Sequence, residues 1–134
     1  LTGIDLVKWQ IRIASGIPLS FTQSDVDLRG SSIECRIVAK KPGKVEFLHI
    51  PGGPFVRFDT YLTVGTQITP YYDPLVGKLI IYSGSRAESL RKIRAALCEL
   101  VIDGVPNNIE EQLEIVNSEA FSSGNYNLDF LKGR

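Results

Sequence analysis

The stretch Ser31-Ser32-Ile33-Glu34-Cys35-Arg36-Ile37-Val38-Ala39 alternates its apolar side chains with a period of two. Ile33, Cys35, Ile37 and Ala39 fall on one face of an extended segment, and Glu34 and Arg36 fall on the other. The pattern predicts a β-strand with one buried face and one wet face. A guanidinium held mid-strand on the wet face is a five-donor fork of fixed direction, suited to an anionic oxygen. The same spacing also describes a surface strand on which Glu34 and Arg36 face water and pair weakly across the sheet.

The neighbouring segments supply partners for this strand. Pro42-Gly43 is a turn signal. Val45, Phe47 and His49 alternate with Glu46, Leu48 and Ile50, predicting a second strand, and Phe55 to Leu62 predicts a third, broken by Gly65. Between them Pro51-Gly52-Gly53-Pro54 requires a tight turn. Lys78 to Tyr82 is a short, strongly apolar strand. Before the first strand, Thr2 to Ser15 reads as a helix that opens on a Thr2/Asp5 capping box and carries an apolar stripe of Leu6, Val7, Ile11 and Ala14. Gly16 and Pro18 stop it. After the last strand, Ser85 and Glu88 form a second capping box. The helix it opens has Leu90, Ile93, Leu97, Leu100 and Val101 at helical spacing and ends at Asp103-Gly104. Asn108 caps a shorter helix with Ile109, Leu113 and Val116 inward, and Tyr126 to Leu131 reads as one or two helical turns. The order predicts an α+β fold: an N-terminal helix, a mostly antiparallel sheet, then C-terminal helices.

Length predicts one domain over residues 1–134. Fifteen basic and fifteen acidic residues cancel, so no basic field favours a nucleic acid or an anionic membrane. No apolar run approaches the roughly 18 residues of a membrane span. Cys35 and Cys98 both sit in apolar patterns, which predicts buried thiols rather than a disulfide and suits a reducing cytoplasm. The chain begins at Leu1, contains no methionine, and starts on a capping pattern, so it reads as a piece of a longer polypeptide.

Among candidate chemistries, His49 is the single histidine, and a zinc site needs about three or four His or Cys ligands, so no metal is expected. No nucleophile-elbow spacing supports a catalytic triad. Gly52-Gly53 lacks the Gly-Lys-Ser/Thr of a P-loop. The loop Pro70-Tyr71-Tyr72-Asp73-Pro74 is held between prolines. It reads either as a preset contact surface for a partner, or as two tyrosines covering the core beside an Asp that caps a turn.

Three segments in order, Glu34-Cys35-Arg36-Ile37, then Pro51-Gly52-Gly53 with Val56-Arg57, then Pro70-Tyr71-Tyr72-Asp73 with Gly77-Lys78-Leu79, resemble the carboxyl-terminal domain of biotin carboxylase. Thr2-Gly3-Ile4-Asp5-Leu6 and Ile102-Asp103-Gly104 extend the resemblance over nearly the whole chain. It implies a ligase component that uses ATP, Mg²⁺ and bicarbonate to carboxylate biotin held on a biotin carboxyl carrier protein, as in acetyl-CoA carboxylase of fatty acid biosynthesis. It further implies a cytoplasmic homodimer, an ATP-grasp module preceding this region, and a fragment that is inactive and binds no cofactor alone. By resemblance Arg36 is the catalytic arginine beside bicarbonate and the biotin ureido oxygen, stabilising the enolate form that attacks CO₂. Leu128 matches an apolar position on the adenine ring, and Arg57 and Asp73 match positions at the homodimer interface.

Two departures stand out. The family usually continues Glu-Cys-Arg-Ile with Asn-Ala-Glu-Asp-Pro and a longer loop, whereas here Val38-Ala39-Lys40-Lys41 runs straight into Pro42-Gly43-Lys44. The family also often has an aromatic residue followed by glycine where this chain has Pro54-Phe55. The shortened loop leaves a second reading open, a dimerisation or scaffold module that keeps the fold without the chemistry.

Overall fold

The computed structural model describes residues 1–132. Its elements run α1 (Leu6–Ala14), a 3-10 turn (Gln23–Asp25), β1 (Ser31–Val38), β2 (Gly43–Lys44), β3 (Phe47–His49), β4 (Val56–Thr60), β5 (Gln67–Ile68), β6 (Leu75–Ser83), α2 (Arg86–Glu99), β7 (Val101–Asp103), α3 (Ile109–Asn117) and α4 (Glu119–Ser123). The fold is α+β, and every strand pairing among the described residues is antiparallel.

β6 is the spine of the main sheet, whose strand order is β1-β6-β4. Its register sets Ile33 against Ile81 and Cys35 against Leu79, with Val56 and Phe58 completing the rows from the other side. These rows form the inner face, on which α2 lays Leu90, Ile93, Ala96 and Leu97. Buried Ser89 is satisfied there: its hydroxyl donates to the Ser31 carbonyl at 2.9 Å and lies 2.6 Å from Ser83 Oγ. Half of the predicted Ser85/Glu88 box forms: the Ser85 hydroxyl accepts from the Glu88 amide, while the Glu88 carboxylate pairs with Lys92 one turn on.

Tertiary pairing redraws several boundaries. The predicted second strand bends at Val45, which is fully buried, so β2 pairs with β5 and β3 pairs with β7. The long helix stops at Glu99 because Leu100 turns extended and Val101–Asp103 closes on β3. Val101 therefore belongs to a strand, against its helical spacing. The last strand is longer than its apolar run, since Leu75 and Gly77 also pair with β1. Cys35 is buried as expected, whereas Cys98 is exposed, turned about 100° past the inward Leu97. Tyr126 to Leu131 forms no regular helix and ends in turns.

The N-terminal segment departs most. The predicted Thr2/Asp5 box does not form. Asp5 is the N-cap of α1 and accepts from the Lys8 amide at 3.0 Å, while the Thr2 hydroxyl accepts from Ile4. The apolar stripe is not buried by the described residues: Leu6, Val7 and Ile11 are 66%, 66% and 64% exposed. α1 is held locally, with Trp9 edge-on to Phe21 at 5.1 Å and Arg12 over the Trp9 ring.

Candidate functional site

The wet face of the main sheet carries two rows. In the first, Arg36 lies opposite Lys78, and Lys78 lies opposite Asp59; in the second, Glu34, Ile80 and Arg57 are in register. Arg57 Nε donates to Asp59 Oδ1 at 2.7 Å. That hydrogen bond raises the Arg57 pKa and holds the Asp59 carboxyl below its ordinary value, with the charge of Arg57 and then Lys78 adding to the latter effect. Arg36 is exposed, and among the described residues its guanidinium has neither a hydrogen bond nor an ion pair. The weak pair with Glu34 is therefore not formed. Arg36 and Lys78, directly opposite each other, repel, and Asp59 on the far side of Lys78 offsets part of that charge, so Arg36 is left as the cation of this row without a counter-ion beside it.

The backbone under Arg36 is clamped. A register shift between Ile37 and Val38 lifts the end of β1 away from a simple ladder. Ala39 N–H then donates to the Pro74 carbonyl at 2.9 Å and Lys40 N–H to the Pro106 carbonyl at 2.7 Å. Asn108, buried to 6% exposure, spans the shift: its Oδ1 accepts from the Val38 amide at 2.8 Å, and its Nδ2 donates to the Arg36 carbonyl at 3.1 Å. The predicted helix-capping role of Asn108 is thus corrected. It occupies the N-cap position without a side-chain cap bond, and Asn107 Oδ1 accepts from Ile109 instead. No local pattern could have revealed the clamp, because its partners lie 70 and 72 residues away. The loop that follows β1 is tied to the same element, with Lys40 paired to Glu111 of α3.

Of the other expected site residues, Arg57 shares the sheet face with Arg36. Asp73 sits just before β6, where its carboxylate accepts from the Leu75 amide at 2.8 Å. Tyr71 and Tyr72 are 84% and 85% exposed, so they do not cover the core. Leu128 is fully exposed on the tail that follows α4, carried by the helices and not by the sheet face of Arg36. His49 lies on β3 opposite Val101. Among the described residues no three His, Cys, Asp or Glu side chains gather as metal ligands, and no helix is long and apolar enough to cross a membrane.

Residues 34–133 match the sequence model of a family described as biotin carboxylase C-terminal domain. The chain belongs to this family. As a biotin carboxylase C-terminal domain it is 45% identical to the biotin carboxylase of Pseudomonas aeruginosa over 98% of its own length and 31% of that protein. It is 42% identical to the biotin carboxylase of Haemophilus influenzae, again over 98% of this domain and 31% of that protein. Among solved structures it is similar to the biotin carboxylase domain dimer of Hydrogenobacter thermophilus 2-oxoglutarate carboxylase, in complex with MgADP, ADP and bicarbonate. That similarity has a TM-score of 0.88 at 37% identity and covers 97% of this domain and 30% of that chain. The domain thus spans about a third of the length of the relatives it matches.

Proposed function

We propose that this chain is the C-terminal part of an ATP- and bicarbonate-dependent ligase that carboxylates biotin on a biotin carboxyl carrier protein, the first half-reaction of acetyl-CoA carboxylase or a related enzyme. The observation that carries the reading is Arg36, a guanidinium without an internal partner, on a strand clamped from behind and facing Lys78. Its role is to hold the biotin ureido oxygen as negative charge develops there. A prearranged donor aimed at such an oxygen lowers the barrier without reorganising at the moment of reaction, by about 3–4 kcal/mol for a good donor. Lysine would supply charge but not the planar fork. The structural kinship with a carboxylase domain bound to MgADP and bicarbonate supports ATP and Mg²⁺ as further requirements. In this reading Mg²⁺ and the nucleotide phosphates are held by an ATP-grasp module in the remaining two thirds of the enzyme's length, and the isolated chain is inactive.

In the same reading Leu128 contacts the adenine ring, and Arg57 and Asp73 face the second copy of a homodimer in the cytoplasm. The exposed Tyr71 and Tyr72 beside Asp73 fit a contact surface. The Asn108 clamp favours the catalytic reading over a scaffold, since it keeps Arg36 in register despite the short loop. In the complete enzyme, Arg36→Ala is expected to lower biotin carboxylation by about 100-fold or more with ATP binding nearly unchanged. Steady-state kinetics and nucleotide titration check this; an unchanged rate removes Arg36 from the site.

A further inference from the structure

We propose that Arg86 is a positioning residue for the nucleotide end of the reaction, acting as a latch that presents Leu128. The inference rests on the reading of Leu128 as an adenine contact. A leucine on a loose tail would have to be ordered at each binding event, which weakens its contribution. Leu128 is fully exposed, yet its surroundings are not loose. It stands in a turn that Asn127 closes, through its carbonyl to the Phe130 amide at 3.2 Å and through its side-chain oxygen to the Asp129 amide at 2.9 Å. The shoulders of the turn, Tyr126 and Phe130, lie 5.5 Å apart, ring to ring. Both also meet the Phe121 ring of α4, at 5.1 and 6.5 Å.

Arg86 holds this ring group to the core. It is the first residue of α2, the helix laid on the inner face of the sheet. Its guanidinium carbon lies 5.1 Å from the centre of the Phe121 ring and 5.9 Å from that of Tyr126, and its Nη2 donates to the Phe121 carbonyl at 2.6 Å. Its Nε is buried without a hydrogen-bond partner, so part of the cation has left water. A desolvated guanidinium grips an aromatic face more tightly than an exposed one. Further along α2, Arg94 Nη2 donates to the Val116 carbonyl at 3.0 Å and to Ser122 Oγ at 2.9 Å, seating the start of the same tail. One core helix thus fixes the strand of Arg36 from one side and the turn of Leu128 through its first residue.

The test compares Leu128→Ala, Arg86→Ala and the double variant in the complete carboxylase polypeptide. KM values for ATP, bicarbonate and biotin are measured together with hydrogen exchange over residues 126–132. Each single variant is expected to raise the ATP KM about tenfold, the scale of one apolar contact, with the other KM values unchanged. The double variant is expected to be no worse than either single, because the latch acts only through Leu128. Exchange over the tail is expected to speed up in Arg86→Ala. A raised ATP KM in Leu128→Ala with an unchanged one in Arg86→Ala, or additive effects in the double variant, overturns the latch alone. An unchanged ATP KM in Leu128→Ala overturns the nucleotide reading and the latch with it. If Arg86→Ala does not fold, Tyr126→Ala removes one shoulder, and its contact with Arg86, while leaving every α2 residue in place. The same ATP-specific rise is expected there, and its absence overturns the latch.

Discussion

Two buried side chains on either side of Arg36 show how single residues govern the site. Asn108 satisfies two backbone groups of β1 at once. Asn108→Ala strands the Val38 amide and the Arg36 carbonyl, both part-buried, at about 1–2 kcal/mol for each group left unsatisfied. A loss of about 2–4 kcal/mol in urea denaturation is expected, and a loss below about 0.5 kcal/mol would show that the clamp bears no load. Cys35 is the inward neighbour of Arg36, and burial, followed by the charge of Glu34, pushes its thiol pKa up to about 12. The folded state therefore keeps a proton that the unfolded chain releases above about pH 8.5. The stability tied to Cys35 is fully present below that pH and is lost as pH climbs toward about 12, at roughly 1.4 kcal/mol per unit. Cys35→Ala is expected to flatten this alkaline slope in pH-dependent denaturation; an unchanged slope would reject the assignment. The residue pattern of β1 exposes the alternation that buries Cys35 and frees Arg36. It carries no trace of Asn108, whose nearest spacing cue points to a helix cap.

At the scale of elements, the strongest local signals give the elements that form as expected: β1 from its alternation, α2 from its Ser85 cap and apolar spacing. The departures occur where two chain segments compete for one partner. Val101 has helical spacing, but β3 is left with an open edge unless Val101–Asp103 pairs with it, and the ladder wins. The turn that follows depends on Gly104, whose φ is +83° and whose missing Cβ would lie 2.1 Å from the Lys44 carbonyl oxygen. Gly104→Ala meets both the left-handed penalty of about 1–2 kcal/mol and that collision, so a loss of at least about 2 kcal/mol is expected in thermal or urea unfolding. A near-neutral substitution would mean that β2 and the β7 turn do not cross as closely as described. The Phe55 backbone, at φ 62°, occupies the same region without the glycine's freedom. Its ring packs against Tyr82, and Lys92 lies over it.

For the molecule as a whole, the unburied groups speak most directly to function. Arg36 and Lys78 share a wet sheet face; Leu6, Val7 and Ile11 leave a helix stripe uncovered; Tyr71, Tyr72 and Leu128 stand in solvent. These surfaces support the proposed reading, in which the chemistry is completed by other polypeptide. The isolated chain is accordingly expected to show no bicarbonate-dependent ATP hydrolysis, measured as phosphate release with and without bicarbonate. Turnover by the chain alone would overturn the division of labour proposed above. What the amino-acid sequence determined by itself was whatever repeats within a few residues: the faces of β1, the span of α2, the turns at proline and glycine, and the ordered motifs that carry the family. Only the tertiary structure decided that the described residues leave the apolar stripe of α1 exposed, that β3 takes β7 as its partner, and that Asn108 grips the strand of Arg36. Periodicity and capping are contests between neighbours along the chain, whereas a hydrogen bond across 72 residues exists only once the core has brought its two ends together.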